Sequence, residues 1–210
     1  MSYSVKEMFL TLQGEGVQAG RRAVFVRFAG CNLWSGRERD RATAICKFCD
    51  TDFVGTDGDS GGKFADSSQL AAAVVRLWGK GTTQRFVVLT GGEPMLQIDR
   101  ALIDALHALQ FEIGVESNGT IAAVPGIDWL CISPKAGSSI VQRTGNELKL
   151  VWPQPGSDPD AMIDWHFDHF LIQPMDCADG DAARTAAIEF VIDNPRWRLT
   201  TQAHKMLGLR

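Results

Sequence analysis

Phe86-Val87-Val88-Leu89-Thr90-Gly91-Gly92-Glu93-Pro94 is the stretch on which the fold turns. Four consecutive apolar residues are too few for a helix, and a glycine pair with a proline closes the run. It therefore reads as a buried strand ending in a polar turn. The same grammar recurs along the chain. Residues 23–28 (A-V-F-V-R-F) place Val24 and Val26 on one face, Phe25 and Arg27 on the other, and lead into Gly30-Cys31-Asn32. Residues 111–116 lead into Glu116-Ser117-Asn118-Gly119, residues 129–133 into Ser133-Pro134-Lys135, and residues 170–173 into Gln173-Pro174-Met175-Asp176. A further strand falls near residues 147–151, and residues 197–203 form a last extended segment.

Helical patterns lie between these runs. One starts near Asp66, capped with Gln69 three residues on, and buries Leu70, Val74, Leu77 and Trp78. Residues 99–109 carry Leu102, Ile103, Leu106 and Leu109 at helical spacing, and residues 182–192 form a helix stopped by Asn194-Pro195. Short, continuously apolar strands alternating with helices indicate an α/β fold with parallel strands covered on both sides. Six such strands and three clear helices in 210 residues fall short of a full eight-unit barrel, which takes roughly 250 residues. The expectation is an open, partial parallel β/α barrel of about six strands, with fewer helices than a full barrel, as a single domain over 1–210.

Hydrophobic residues make up 45% of the chain and charged residues 22%, with a net charge of −4. That composition suits a soluble globular protein and supplies no field for nucleic acid or anionic lipid. No apolar stretch approaches the roughly 20 residues that span a bilayer. The N-terminal M-S-Y-S-V-K-E-M-F lacks the pattern of a signal peptide. A cytoplasmic location is expected, with no membrane and no nucleic-acid partner. Residues 37–41 (R-E-R-D-R) and 56–62 (T-D-G-D-S-G-G) read as solvated loops. The five cysteines are odd in number and lie in a reducing compartment on this reading, which favours metal binding, catalysis or simple burial over disulfides.

Cys31, Cys46 and Cys49 stand as C-x14-C-x2-C. Cys46 and Cys49 can reach one centre from a single turn, and the polar residues 32–44 can loop out to let Cys31 join. Structural zinc takes four closed ligands. A [4Fe–4S] cluster on three cysteines leaves one iron open to a ligand. Cys131 reads as a packed thiol, and Cys177 as ambiguous, with a fourth-ligand role the lesser reading. Phe48 can pack on a nucleobase. The amides of Gly91 and Gly92 can meet a carboxylate and Glu93 can accept from an ammonium, a pairing suited to an amino acid. Polar motifs gather past the C-terminal ends of the strands, where parallel barrels place their sites. Arg27 inside an apolar run requires a buried partner.

With Cys46-Lys47-Phe48-Cys49-Asp50-Thr51 followed by Thr90-Gly91-Gly92-Glu93-Pro94, the chain resembles the radical S-adenosylmethionine superfamily. More narrowly, Thr11-Leu12-Gln13-Gly14-Glu15-Gly16, Phe25-Val26-Arg27, Gly30-Cys31-Asn32, Cys49-Asp50-Thr51, Ser133-Pro134-Lys135 and Gln173-Pro174-Met175-Asp176 resemble the 7-carboxy-7-deazaguanine synthase family. The likeness spans residues 7–176. One departure is the cysteine spacing, since the superfamily usually has C-x3-C-x2-C.

The resemblance implies a carbon–nitrogen lyase of 7-deazapurine and queuosine biosynthesis. It would convert 6-carboxy-5,6,7,8-tetrahydropterin to 7-carboxy-7-deazaguanine and ammonia through a 5′-deoxyadenosyl radical. It implies a [4Fe–4S] cluster on Cys31, Cys46 and Cys49, S-adenosylmethionine, Mg²⁺ at Thr51, a reductant such as flavodoxin or ferredoxin, and a homodimer. Phe48, Cys49, Asp50, Gly92, Ser133, Pro134, Lys135, Gln173, Pro174, Met175 and Asp176 would line the S-adenosylmethionine site, with Glu93 on its ammonium and Glu116 on its ribose. Leu12, Gln13, Gly14, Glu15, Arg27 and Thr90 would hold the pterin, with Glu15 accepting from its adjacent N–H donors and Arg27 forking onto its carboxylate. His204 is the candidate acid/base, while His107, His166 and His169 read as structural. Two rivals remain at this point. A glycyl-radical-activating enzyme would need an open, peptide-sized groove, and a non-catalytic iron–sulfur or zinc module would leave the strand ends idle.

Overall fold

The computed structural model describes residues 2–209; Met1 and Arg210, the two ends of the expected span, lie outside the described residues. Nine strands are described: β1 (Tyr3–Leu12), β2 (Arg22–Phe28), β3 (Gly62–Phe64), β4 (Arg85–Gly91), β5 (Phe111–Ser117), β6 (Trp129–Ile132), β7 (Thr144–Trp152), β8 (His166–Pro174) and β9 (Trp197–Leu199). They form one open sheet in the order β3-β1-β2-β4-β5-β6-β7-β8-β9. Pairing is parallel from β2 through to β9, and β1 and β3 extend the β2 edge in antiparallel fashion. The six barrel-type strands expected from sequence are β2, β4, β5, β6, β7 and β8, and the open partial barrel is the observed architecture.

The ten-residue β1 is an addition to that expectation. Its inward residues are Tyr3 and Val5, then Met8, because the pairing register shifts between Val5 and Glu7. This irregularity breaks the alternation that identifies a strand in sequence. The last extended segment is shorter than expected, since β9 ends at Leu199 and Ala203 opens a short helix.

Four α-helices are described: α1 (Ser67–Trp78), α2 (Arg100–Ala108), α3 (Gly180–Asp193) and α4 (Ala203–Met206). Each of the first three starts at an aspartate whose side chain accepts a backbone N–H: Asp66 from Gln69, Asp99 from Leu102 and Asp179 from Ala182. Helices α1 to α3 pack on one face of the sheet, against β1, β2, β5, β8 and β9. That face is Val24, Val26, Phe28, Val87, Leu89, Ile113, Val115, Ile132, Leu148, Leu150 and Ile172, all in one buried cluster. The intervening residues, Phe25, Arg27, Thr90, Glu116, Lys149, Val151 and Gln173, line a cavity on the other face. Among the described residues no helix is long and apolar enough to cross a membrane.

The fully buried Tyr3 ties the antiparallel edge to a helix start: its hydroxyl donates to Asp99 Oδ1 at 2.6 Å, the same oxygen that accepts from Leu102 N at 2.9 Å. Asp99→Ala removes a cap and strands a buried hydroxyl, an expected loss of about 2–3 kcal/mol in urea unfolding. Adding Tyr3→Phe should return about 1 kcal/mol of it, because the unpaired hydroxyl is then gone.

Candidate active site

The cavity is ≈ 470 Å³ and opens at the C-terminal ends of the parallel strands. Of the residues singled out by sequence, Leu12, Gln13, Gly14, Glu15, Arg27, Cys31, Cys46, Phe48, Cys49, Asp50, Thr51, Thr90, Gly92, Glu116, Ser133, Lys135, Gln173, Pro174, Met175, Asp176 and His204 all line it. Glu93 and Pro134 lie behind its wall.

Glu93 is wholly buried and its carboxylate is already engaged. Oε1 accepts from Met95 N and Ser117 Oγ, each at 2.9 Å, and Oε2 accepts from Asn118 N at 2.8 Å. Burial pushes its pKa up against those donors. The expected ammonium contact is therefore replaced by a clamp between the end of β4 and the end of β5. The glycine pair serves the same junction. Gly91 sits at φ 134°, and a Cβ there would run into the Phe28 carbonyl. A Cβ on Gly92 would strike the Gly30 carbonyl and come within 2.8 Å of Cys31 Cβ. The amides are used internally, with Gly92 N donating to Phe28 O at 3.3 Å and Glu93 N to Gly30 O at 2.9 Å. These contacts seat the Cys31 turn against β4.

The three cysteines face this cavity from a loop that contains a 3-10 turn (Glu38–Thr43). Arg41 holds that loop: its guanidinium stacks 4.1 Å from the Trp34 ring and donates to Lys47 O at 3.0 Å and Cys49 O at 3.1 Å. Cys46 donates toward the Cys49 sulfur, which lowers Cys49 to about 6 and raises Cys46. Burial raises Cys31, while Leu33 N donates to its sulfur at 3.4 Å. Among the described residues no three His, Cys, Asp or Glu converge closely enough to chelate one metal ion. Three cysteines lining one cavity supply the thiolates that an iron–sulfur cluster takes, and among the described residues no set of four closed ligands for structural zinc is assembled there. Cys131 is buried in β6 as expected, and the exposed Cys177 does not line the cavity.

The opposite wall is charged. Arg27 finds its partner across the strand pair in Glu7, with Nε donating to Oε1 at 2.9 Å. Lys149, which the sequence reading passed over, points its ammonium between Glu15 Oε2 and Glu116 Oε2, the latter at 3.6 Å. Glu15 Oε1 also accepts from Gln202 Nε2 at 2.8 Å, and Glu116 Oε1 from Gln13 Nε2 at 2.9 Å. Burial alone would raise the Glu15 pKa; Lys149, Gln202 and His204 more than offset it and hold it at about 2.

The C-terminal tail, read from sequence only as an extended segment ahead of His204, folds back onto the turn after β1. Ala203 N donates to Gly14 O at 2.9 Å and Gly16 N to Thr200 Oγ1 at 2.9 Å, which lays His204 directly on Gly14. Lys205 then bridges Asp50 and Asp176. His107 pairs with Asp128, His169 stacks on Trp129 and His166 is exposed; none of the three lines the cavity. Gln173 lines the cavity, and its buried Oε1 has no hydrogen-bond partner among the described residues.

No family model matches the chain. A 7-carboxy-7-deazaguanine synthase from Caulobacter vibrioides is 59% identical over 209 residues, covering 100% of both chains. One from Bordetella pertussis is 56% identical over 209 residues, again covering 100% of both. The crystal structure of QueE from Escherichia coli superimposes with a TM-score of 0.72 at 28% identity, covering 97% of this chain and 95% of that one.

Two outcomes follow from the geometry. Glu93→Ala should cost about 2–4 kcal/mol in chemical unfolding, since it leaves buried donors unpaired. The Glu15 pKa is lowered from 4.5 to about 2 by folding, so its contribution to stability is present above its unfolded value and lost as pH falls towards 2. The stability difference between the native chain and Glu15→Gln should shrink steadily over that acid range in urea titrations.

Proposed function

The chain belongs to the 7-carboxy-7-deazaguanine synthase family, and we propose that it converts 6-carboxy-5,6,7,8-tetrahydropterin to 7-carboxy-7-deazaguanine with release of ammonia, as a carbon–nitrogen lyase of 7-deazapurine and queuosine biosynthesis. Support comes above all from one observation. Three cysteines, Gln173 and the Arg27, Glu15 and Glu116 wall all line a single small-molecule-sized cavity.

On this reading Cys31, Cys46 and Cys49 would hold a [4Fe–4S] cluster, and Ser133, Lys135 and Gln173 to Asp176 would hold S-adenosylmethionine. When bound, the cluster supplies the electron that splits S-adenosylmethionine to a 5′-deoxyadenosyl radical. The chain's own residues do the rest. Lys135 donates to Ser133 O and Oγ at 2.7 and 2.8 Å, which holds that turn beside the Phe48 ring. Arg27 offers its cationic fork to the substrate carboxylate, oriented by Glu7. Glu15 accepts from the N–H edge of the heterocycle, and the tail over the cavity excludes water. His204, held against Gly14, is placed to move a proton during loss of ammonia. Thr51 offers Mg²⁺ a hydroxyl oxygen. A flavodoxin or ferredoxin as reductant and a homodimeric assembly complete the proposal. The tail across the cavity disfavours a glycyl-radical activator, which needs room for a peptide.

Anaerobic reconstitution with iron and sulfide, followed by turnover of carboxytetrahydropterin with and without Mg²⁺, tests the reading. Product and 5′-deoxyadenosine are expected, with substitution of any of the three cysteines by Ser removing the cluster's visible absorption. Glu15→Ala should lower kcat/KM for the pterin on the order of 100-fold while 5′-deoxyadenosine still forms, since a charged hydrogen bond is worth about 1.5–3 kcal/mol. Absence of both products from reconstituted protein sinks the proposal.

A further inference from the structure

Lys149 belongs to a strand, yet it behaves as part of the site. It is 4% exposed, lies on the cavity side of β7, and separates two carboxylates that arrive from distant parts of the chain. Glu15 comes from the turn after β1 and Glu116 from β5. Both also accept from a glutamine, Gln202 and Gln13 respectively, whose own placement depends on the tail and on that same turn. An isolated buried ammonium is costly, and this one is kept only because the two acids surround it.

We propose that Lys149 is a positioning residue for substrate recognition: its ammonium clamps Glu15 and Glu116 side by side, as a paired acceptor for the N–H edge of a heterocyclic substrate. The inference rests on the proposed function and adds a residue to it. Both carboxylates lie against the one ammonium, and with that cation gone two like charges facing the same buried gap repel, which favours uptake of a proton by the pair. A protonated acid would then present an O–H where the substrate needs an acceptor. Among the described residues no other cation pairs with these two acids. Facing Lys149 are Glu15, Glu116, Cys131 from β6 and Glu147 on β7, with Lys135 beyond Cys131 and His204 approaching Glu15 from the tail. Glu147 is otherwise engaged, its Oε2 accepting from Val17 N at 2.9 Å.

The test uses reconstituted holoenzyme. Lys149→Met should lower kcat/KM on the order of 100-fold, chiefly through KM. It should also weaken equilibrium binding of an oxidised carboxypterin, read by its fluorescence without reductant. Its kcat/KM should rise with pH across the neutral range, as the shared proton leaves the acid pair, where the native enzyme lacks that limb. Lys149→Arg should recover part of the loss. If Lys149→Met does not fold, Glu15→Gln/Lys149→Met removes the unbalanced charge and is compared with Glu15→Gln alone. The double variant is expected to bind the pterin roughly tenfold more weakly than the single, because Glu116 has also lost its clamp. Equal binding by the two, or a folded Lys149→Met within about threefold of native kcat/KM, overturns the inference. Native enzyme that fails to turn over carboxytetrahydropterin sinks the proposed function instead.

Discussion

A parallel sheet with helices on one side and a cavity on the other must use its two faces differently, because successive side chains of a strand point opposite ways. Everything else in this molecule depends on that alternation. In β2 the helix face is Val24, Val26 and Phe28, and the cavity face Phe25 and Arg27. In β7 the helix face is Leu148 and Leu150, and the cavity face Lys149 and Val151. The registers Arg27 opposite Thr90 and Val151 opposite Gln173 carry the pattern sideways from strand to strand. A one-residue slip of β2 or β7 would put Arg27 or Lys149 under the helices.

Alternation sets which residues face the cavity, and the strand ends set how they are held. Gly91 and Gly92 let the β4 end touch the Cys31 turn, and Glu93 then binds the β5 end through two donors, Ser117 Oγ and Asn118 N. The Cys31 end of the cysteine loop is thus anchored on a rigid corner. At the far side the tail returns to the turn after β1 through Ala203 and Thr200. First and last segments of the chain meet over the cavity, so the site exists only in the completed fold.

Much of this was legible in the sequence because strand cores and aspartate caps are local signals. The six parallel strands, the Asp66 cap and the cavity-facing motifs all appear where local pattern places them. Lys149 carries no motif: in E-L-K-L-V it alternates with Leu148 and Leu150, as a lysine on any solvated strand face would. The charge becomes meaningful only once Glu15 and Glu116 are known to meet it. Glu93 was misread for the opposite reason: its motif announces a ligand contact, yet its partners Ser117 and Asn118 lie a strand away. Strand β1 hid behind its irregular register, and the tail has no motif because its role is contact with Gly14, Glu15, Asp50 and Asp176.

The charges around the cavity share one design. Arg27 is balanced by Glu7, Lys149 by Glu15 and Glu116, and Lys205 by Asp50 and Asp176. In each case cation and anion come from different elements, so each pair fixes one element against another. Such pairs add little net stability, because desolvation offsets most of their attraction, and the exposed Lys205 bridge is further weakened by solvent. Their value is geometric. A pair that is nearly neutral when formed but costly when half removed punishes any misplacement of the strand or tail that carries it. The cavity needs that property more than it needs stability, since its ligands must be held in register across residues drawn from both ends of the chain.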